Sequence, residues 1–214
     1  LFEAFRQRSL HAPAALAEEG WTEFELLSTE RAVKGAPGLA EAAAVHHMVP
    51  SGPVPDVAAA VFDGVRSSDL VALGGGRVID TAKAIAAVRG AEVAAIPTTM
   101  SGAEMTAIHR LPAGQEGVAG VRPSLVLADP GVMTSAPEAE LRASSMNALA
   151  HGADSLYTPL ADELSRGSAL KGARMIAGSL DAEREERDTY ELALGSLLSA
   201  NALDLAGLAL HHVL

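Results

Sequence analysis

The stretch DLVALGGGRVIDTAKAIA, residues 69–86, decides the fold. Asp69–Leu73 is an apolar run of strand length, and Gly74, Gly75 and Gly76 break it. From there apolar residues recur at Val78, Ile79, Ala82, Ile85 and Ala86, spacings of three and four that give a helix one buried face. A strand, a glycine turn and a helix N-terminus in this order make a phosphate cradle. Glycines permit positive φ and close approach of a pyrophosphate, while the free N–H groups and positive dipole end of the helix favour anions. The turn is neither G-x-G-x-x-G nor a Walker loop, so its context carries the reading, and a plain sheet-to-helix turn is the bland alternative. Asp80 falls early in the helix, where a carboxylate can cap it or meet its dipole. Lys83, one turn on, reaches a phosphate, an acidic neighbour or only solvent.

Outward from this stretch, strand-like runs at Phe24–Leu27, Val45–Val49, Val93–Ile96 and Leu125–Leu127 alternate with helix-like segments at Gly38–Ala44, Val57–Val65 and Ile79–Val88. Such alternation predicts a parallel sheet covered by helices. At Ser135–Ala136–Pro137 the strands stop, and the rest has a helical pattern, with Lys171–Leu180 and Asp188–Leu214 separated by a charged stretch, Asp181–Asp188, read as a solvated turn. The expected architecture is α/β: a parallel-sheet domain over residues 1–136, then an all-helical domain over 137–214. The last helix is expected to run through Leu205, Leu208 and Leu210 to His211–Leu214 with no Gly or Asn cap, which suggests a shortened chain or a partner at that end.

Composition removes several classes of function. The 214 residues carry a net charge of -11, unsuited to displacing counterions from nucleic acid. With no cysteine there is no disulfide, thiolate metal site or cysteine nucleophile. The apolar run Leu205–Leu210 is far below the roughly 20 residues of a membrane span. Leu1–Leu10 lacks the pattern of a secretory signal, so a soluble cytoplasmic protein is expected.

Two further clusters bear on chemistry. After Val93–Ile96 comes PTTMSGAEMT, residues 97–106, a hydroxyl-rich loop at the edge where parallel sheets bind ligands. Thr98, Thr99 and Ser101 there can bond a ribose or phosphate, or simply cap their own turn. Adjacent strands would bring this loop and the glycine turn to one edge. Farther on, Asn147, His151 and Asp154 lie four and three apart and share a helix face. This polar row can line a catalytic cleft, supply metal ligands or bond within the core.

Taken in order, Pro97–Thr98–Thr99 with Ser101–Thr106, Ala128–Asp129–Pro130 and Met146–His151 resemble the iron-containing alcohol dehydrogenase superfamily, most like its maleylacetate reductase branch. The resemblance covers nearly the whole chain. It implies a Rossmann-like N-terminal domain, a helical C-terminal domain shortened at its end, and NAD(H) or NADP(H) in the cleft between them. Gly74, Gly75, Gly76 and Asp80, with Thr98, Thr99 and Ser101, become the cofactor-binding set. His151 and His212, with Asn147, become the catalytic set. Metal-dependent members carry Asp at the position of Asn147. A neutral amide is a poorer ligand for a hard cation, so no tightly bound iron or zinc is expected; were a metal present, His151 and His212 would be its ligands. Arg77 and Ala103 stand where the family usually has Ser, and Asp154 where it has Glu.

The leading expectation is thus an NAD(P)H-dependent reductase of a small oxo acid, a homo-oligomer (a homodimer in the simplest case) with no nucleic acid or membrane partner. Two alternatives stand beside it: a metal-dependent alcohol or polyol dehydrogenase of the same family, and a non-catalytic homologue that binds nucleotide or serves as a subunit.

Overall fold

The computed structural model describes residues 12–118 and 120–208. In chain order its elements are α1 (Ala12–Glu18), β1 (Glu25–Ser28), α2 (Glu30–Gly35), α3 (Pro37–Ala42), β2 (Val45–Met48), α4 (Val54–Phe62), β3 (Asp69–Gly74), α5 (Gly76–Arg89), β4 (Glu92–Pro97), β5 (Leu125–Val126), α6 (Pro130–Met133), α7 (Glu138–Tyr157), α8 (Glu163–Asp181) and α9 (Thr189–Ala206). They form two compact units. One holds the described residues up to Thr98 together with Ala107–Asp129; the other holds Thr99–Thr106 and everything described from Pro130 onward.

The first unit is the expected α/β layer. Its five strands are all parallel, in the order β2-β1-β3-β4-β5. Parallel strands covered on both faces need near-continuous apolar runs, and Leu70–Gly74 and Val93–Pro97 are buried at every residue. Alternate side chains make one core face: Phe24 and Leu26 of the β1 segment, Val71 and Leu73, and Ala94 and Ile96 pack with Leu16 of α1 and Leu39 of α3. On α5 nearly every residue from Val78 to Ala87 is buried. The helix stops at Gly90, whose φ of 70° lets its N–H reach Ala86 O at 2.8 Å. The sheet order reverses between β1 and β3, and in open α/β sheets the carboxyl ends of the strands at such a reversal form the ligand crevice. Ser28 ends β1 there, and its hydroxyl donates to Leu73 O at 2.9 Å. Beyond the segments read from sequence there is a helix at Glu30–Gly35, opened by Thr29, whose side chain accepts the Ala32 N–H.

The second unit is helical, built mainly from α7, α8 and α9. Small residues let these helices approach closely. A Cβ added at Gly172 would lie 2.6 Å from both Gly195 O and Ser199 Oγ, and one at Gly195 would lie 2.9 Å from Gly172 O. Asp162 caps α8 with a reciprocal pair to Ser165, its carboxylate accepting the Ser165 N–H at 2.8 Å.

Three expectations need correction. The last helix does not run through Leu208: it ends at Ala206, and Gly207 caps it at φ 77° with its N–H on Leu203 O. This glycine sits inside the apolar run, where a side-chain residue would be strained by the turn. His211 and His212 lie outside the described residues. The charged stretch before α9 is not all solvated, since Arg187 is buried and forks onto Glu138 at 2.9 and 3.0 Å. The helical unit also takes in Pro130 and the detached loop Thr99–Thr106, so residue 136 falls inside it.

Candidate functional site

In the sheet unit the candidate site grows from the glycine turn. None of Gly74, Gly75 and Gly76 adopts positive φ, so conformational freedom is not their reason for being there. Gly74 is needed for closeness, because a Cβ there would lie 2.6 Å from Val78 Cγ2 and push α5 away from β3. Gly75 is the N-cap residue of α5 and brings no side chain to the helix end, leaving that end without a side-chain cap. The first N–H groups of a 14-residue helix are therefore directed at the carboxyl edge of the sheet. Thr98, the residue after β4, lies beside this turn, as adjacent parallel strands require: its N–H donates to Gly74 O at 3.0 Å.

Asp80 does not cap α5, because it is the fifth residue of the helix rather than part of its first turn. Its carboxylate accepts from Lys83 Nζ at 2.9 Å. Lys83 is not solvated at all. Its side chain has no exposure, and Nζ also donates to Ile108 O at 2.6 Å in the segment that follows the second loop. Next to it, His109 Nε2 accepts the Val121 N–H at 3.0 Å, and burial holds that imidazole below the usual histidine range.

In the helical unit, Asn147 and His151 share a face of α7 as their spacing implied, and Asn147 Nδ2 lies 3.1 Å from His151 Nε2. With the amide donating, Nε2 is the acceptor and the ring proton sits on Nδ1. His151 is buried, as is Asp154 one turn on. The loop Thr99–Thr106 packs in this same unit. Gly102, at φ 77°, comes so close to the imidazole that a Cβ on it would lie 3.2 Å from His151 Nδ1 and 2.7 Å from the Ala200 Cβ of α9. Ser101 takes a local role, with Oγ 3.5 Å from Glu104 Oε2 and 3.4 Å from the Ala103 N–H it accepts. Glu104 has no exposure.

Gly102, Glu104 and the buried state of Lys83 were not singled out from the chain. A glycine among hydroxyls and an acid between Ala103 and Met105 were the available signals. Among the described residues no three His, Asp or Glu side chains are grouped to hold a metal ion. No helix among them is long and apolar enough to cross a membrane.

Residues 38–130 match the family model described as iron-containing alcohol dehydrogenase. Maleylacetate reductase 2 of Cupriavidus pinatubonensis is 34% identical over 189 residues, covering 83% of this chain and 51% of that protein. The crystal structure of maleylacetate reductase from Agrobacterium tumefaciens superposes with a TM-score of 0.82 at 28% identity, over 96% of this chain and 63% of the other. At 18% identity, sulfoacetaldehyde reductase from Bifidobacterium kashiwanohense, solved in complex with NAD+, shares the fold with a TM-score of 0.79, over 94% of this chain and 64% of that one. The chain spans about half the length of the curated relatives it matches.

Proposed function

Since this chain belongs to the iron-containing alcohol dehydrogenase family and is similar to its maleylacetate reductases, we propose that it is an NAD(P)H-dependent oxidoreductase that reduces a small oxo acid. The observation that carries the reading is the glycine turn at the reversal of the sheet order, with the open N-terminus of α5 directly after it. A bound dihydronicotinamide supplies the hydride. The sheet unit holds the dinucleotide: the N–H groups after Gly74, Gly75 and Gly76 face its pyrophosphate, with Asp80 and the hydroxyl of Thr98 beside them. Thr99 and Ser101 complete the cofactor-binding set. Negative phosphate at this end of α5 gains from both hydrogen bonds and the helix dipole.

The helical unit supplies the proton chemistry. A histidine, His151 or His212, polarises the substrate oxygen and delivers its proton as the carbon is reduced, a task suited to a group that ionises near neutral pH. Asn147 orients the His151 ring through the 3.1 Å contact. The neutral amide supports a reaction without a resident metal. The protein acts as a homo-oligomer in the cytoplasm.

The test is titration of the purified chain with NADH and NADPH, followed by turnover with maleylacetate and related oxo acids, read by loss of the reduced cofactor's absorbance. Saturable binding and turnover that persists after exhaustive chelation are expected. Absence of dinucleotide binding would overturn the reading, and activity that requires added iron or zinc would overturn its metal-free part.

A further inference from the structure

From Ala107 the chain rejoins the sheet unit and reaches β5 as a strap, with no helix or strand in its described residues. It is fastened at single points. Ile108 O accepts from Lys83 Nζ at 2.6 Å, and one turn later along α5 the Ala87 carbonyl accepts the Val118 N–H at 3.0 Å. Gly117 rides so close there that a Cβ on it would lie 2.6 Å from Ala87 O. The Ala113 N–H donates at 2.9 Å to Pro55 O, in the first turn of α4. None of these ties involves a group that titrates near neutral pH. One other does. His109 Nε2 accepts the Val121 N–H at 3.0 Å and so joins two points of the strap 12 residues apart. An imidazole accepts only through a bare nitrogen, so the ring proton is on Nδ1, 3.3 Å from Arg110 O.

We propose that His109 is an acid-sensitive clasp, whose neutral ring holds the strap closed against α5 and whose protonation releases the strap while the sheet stays folded. Protonation turns both ring nitrogens into donors, so the Val121 N–H loses its acceptor and meets another donor. The charged groups facing the ring are Lys83 and Asp80 of α5, and its own segment adds the Arg110 carbonyl. Burial, the largest influence, holds the ring below the usual histidine range, and the Lys83 ammonium adds to it against the opposite pull of the Arg110 carbonyl and Asp80. A lowered folded-state value means that the stabilisation from the clasp is complete above the ordinary 6.5 and is lost as the pH falls through the folded value. The opening is local because the strap hangs on single bonds, whereas Leu70–Gly74 and Val93–Pro97 beneath it are buried at every residue. Nothing in this device requires a bound dinucleotide.

The experiment is amide exchange by NMR on the full 214-residue chain without ligand, as wild type, His109→Gln and His109→Phe, each rate being divided by its intrinsic rate at that pH. Long-range nitrogen–proton spectra of the wild-type ring at neutral pH should place the proton on Nδ1. Below about pH 6.5 the wild-type opening constant at Val121 should rise about tenfold per pH unit until the folded ring itself protonates, while the amides of β3 and β4 show no such rise. His109→Gln, whose amide oxygen accepts the same N–H without titrating, should keep Val121 protected at every pH. His109→Phe should open about tenfold more than wild type at neutral pH and change no further in acid. A ring proton on Nε2 at neutral pH overturns the proposal in the wild-type chain alone, with no variant needed. So does a wild-type opening constant that ignores pH, one that rises equally in His109→Gln, or a His109→Phe strap as protected as wild type. Acid acceleration of β3 and the strap together, the mark of global unfolding, overturns it as well.

Discussion

The interior of the sheet unit is filled by branched side chains, Leu26, Val71, Leu73 and Ile96 against Leu16 and Leu39, whereas α8 and α9 of the helical unit meet at Gly172 and Gly195 with Ser199 between. Strands lie about 10 Å below the helices that cover them, a gap that large side chains must fill. Helices that cross at glycines bring backbone against backbone and leave no gap. The first unit is therefore vulnerable to deletion of atoms and the second to their addition.

The sharpest break of this contrast is Leu26→Ala. The residue is fully buried between strand neighbours, and its truncation should cost about 3 kcal/mol in a urea or guanidinium unfolding curve. A loss below about 1 kcal/mol would mean that the core collapses onto the cavity and is not close-packed. Next is Gly172→Ala. One added methyl meets Gly195 O and Ser199 Oγ at 2.6 Å, so a destabilisation of about 2 kcal/mol is expected where alanine would ordinarily favour a helix. No change in the melting temperature would show that α8 and α9 have room to part.

A smaller, pH-dependent effect tests how the start of α7 is tied down. The forked Arg187 guanidinium, helped by Arg142, lowers the Glu138 carboxyl to about 2 from its ordinary value of 4.5. A lowered folded-state value means stabilisation that is complete above pH 4.5 and is lost as the pH falls toward 2. Thermal melts between those limits should show a steeper acid loss for wild type than for Glu138→Gln; parallel slopes would remove the ion pair from the stability of this unit. The smallest effect has the opposite sign. Gly178 is exposed on α8 with nothing within 4 Å of an added Cβ, so Gly178→Ala should stabilise by roughly 0.5–1 kcal/mol. Stabilisation at Gly178 and damage at Gly172, six residues apart on one helix, would isolate contact from helix propensity.

Much of the fold was legible because periodicity is local. The run Leu70–Leu73, the break at Gly74 and the helical spacing after it describe β3 and α5 to within a few residues. Asn147 and His151 were paired on one face by helix geometry alone, and the structure brings them to 3.1 Å. Helix α2 escaped notice because six residues carry too little periodicity and none of them is buried. The end of α9 was misplaced because Gly207 stood inside an apolar run that looked continuous, although a glycine at positive φ is a stop signal.

By itself the sequence determined the order of strands and helices, the glycine turn at the end of β3 and the family to which the chain belongs, since each depends on residues near one another along the chain. Only the tertiary structure decided that the turn lies at the reversal of the sheet order, that the loop Thr99–Thr106 belongs with the helices, and that Gly102 abuts His151. It also decided that Lys83 is buried against Asp80 and Ile108 O rather than solvated. The environment of a lysine on a helix depends on which distant segment covers it, and here that cover is the crossing from β4 to β5, which residue types within one turn of Lys83 do not encode.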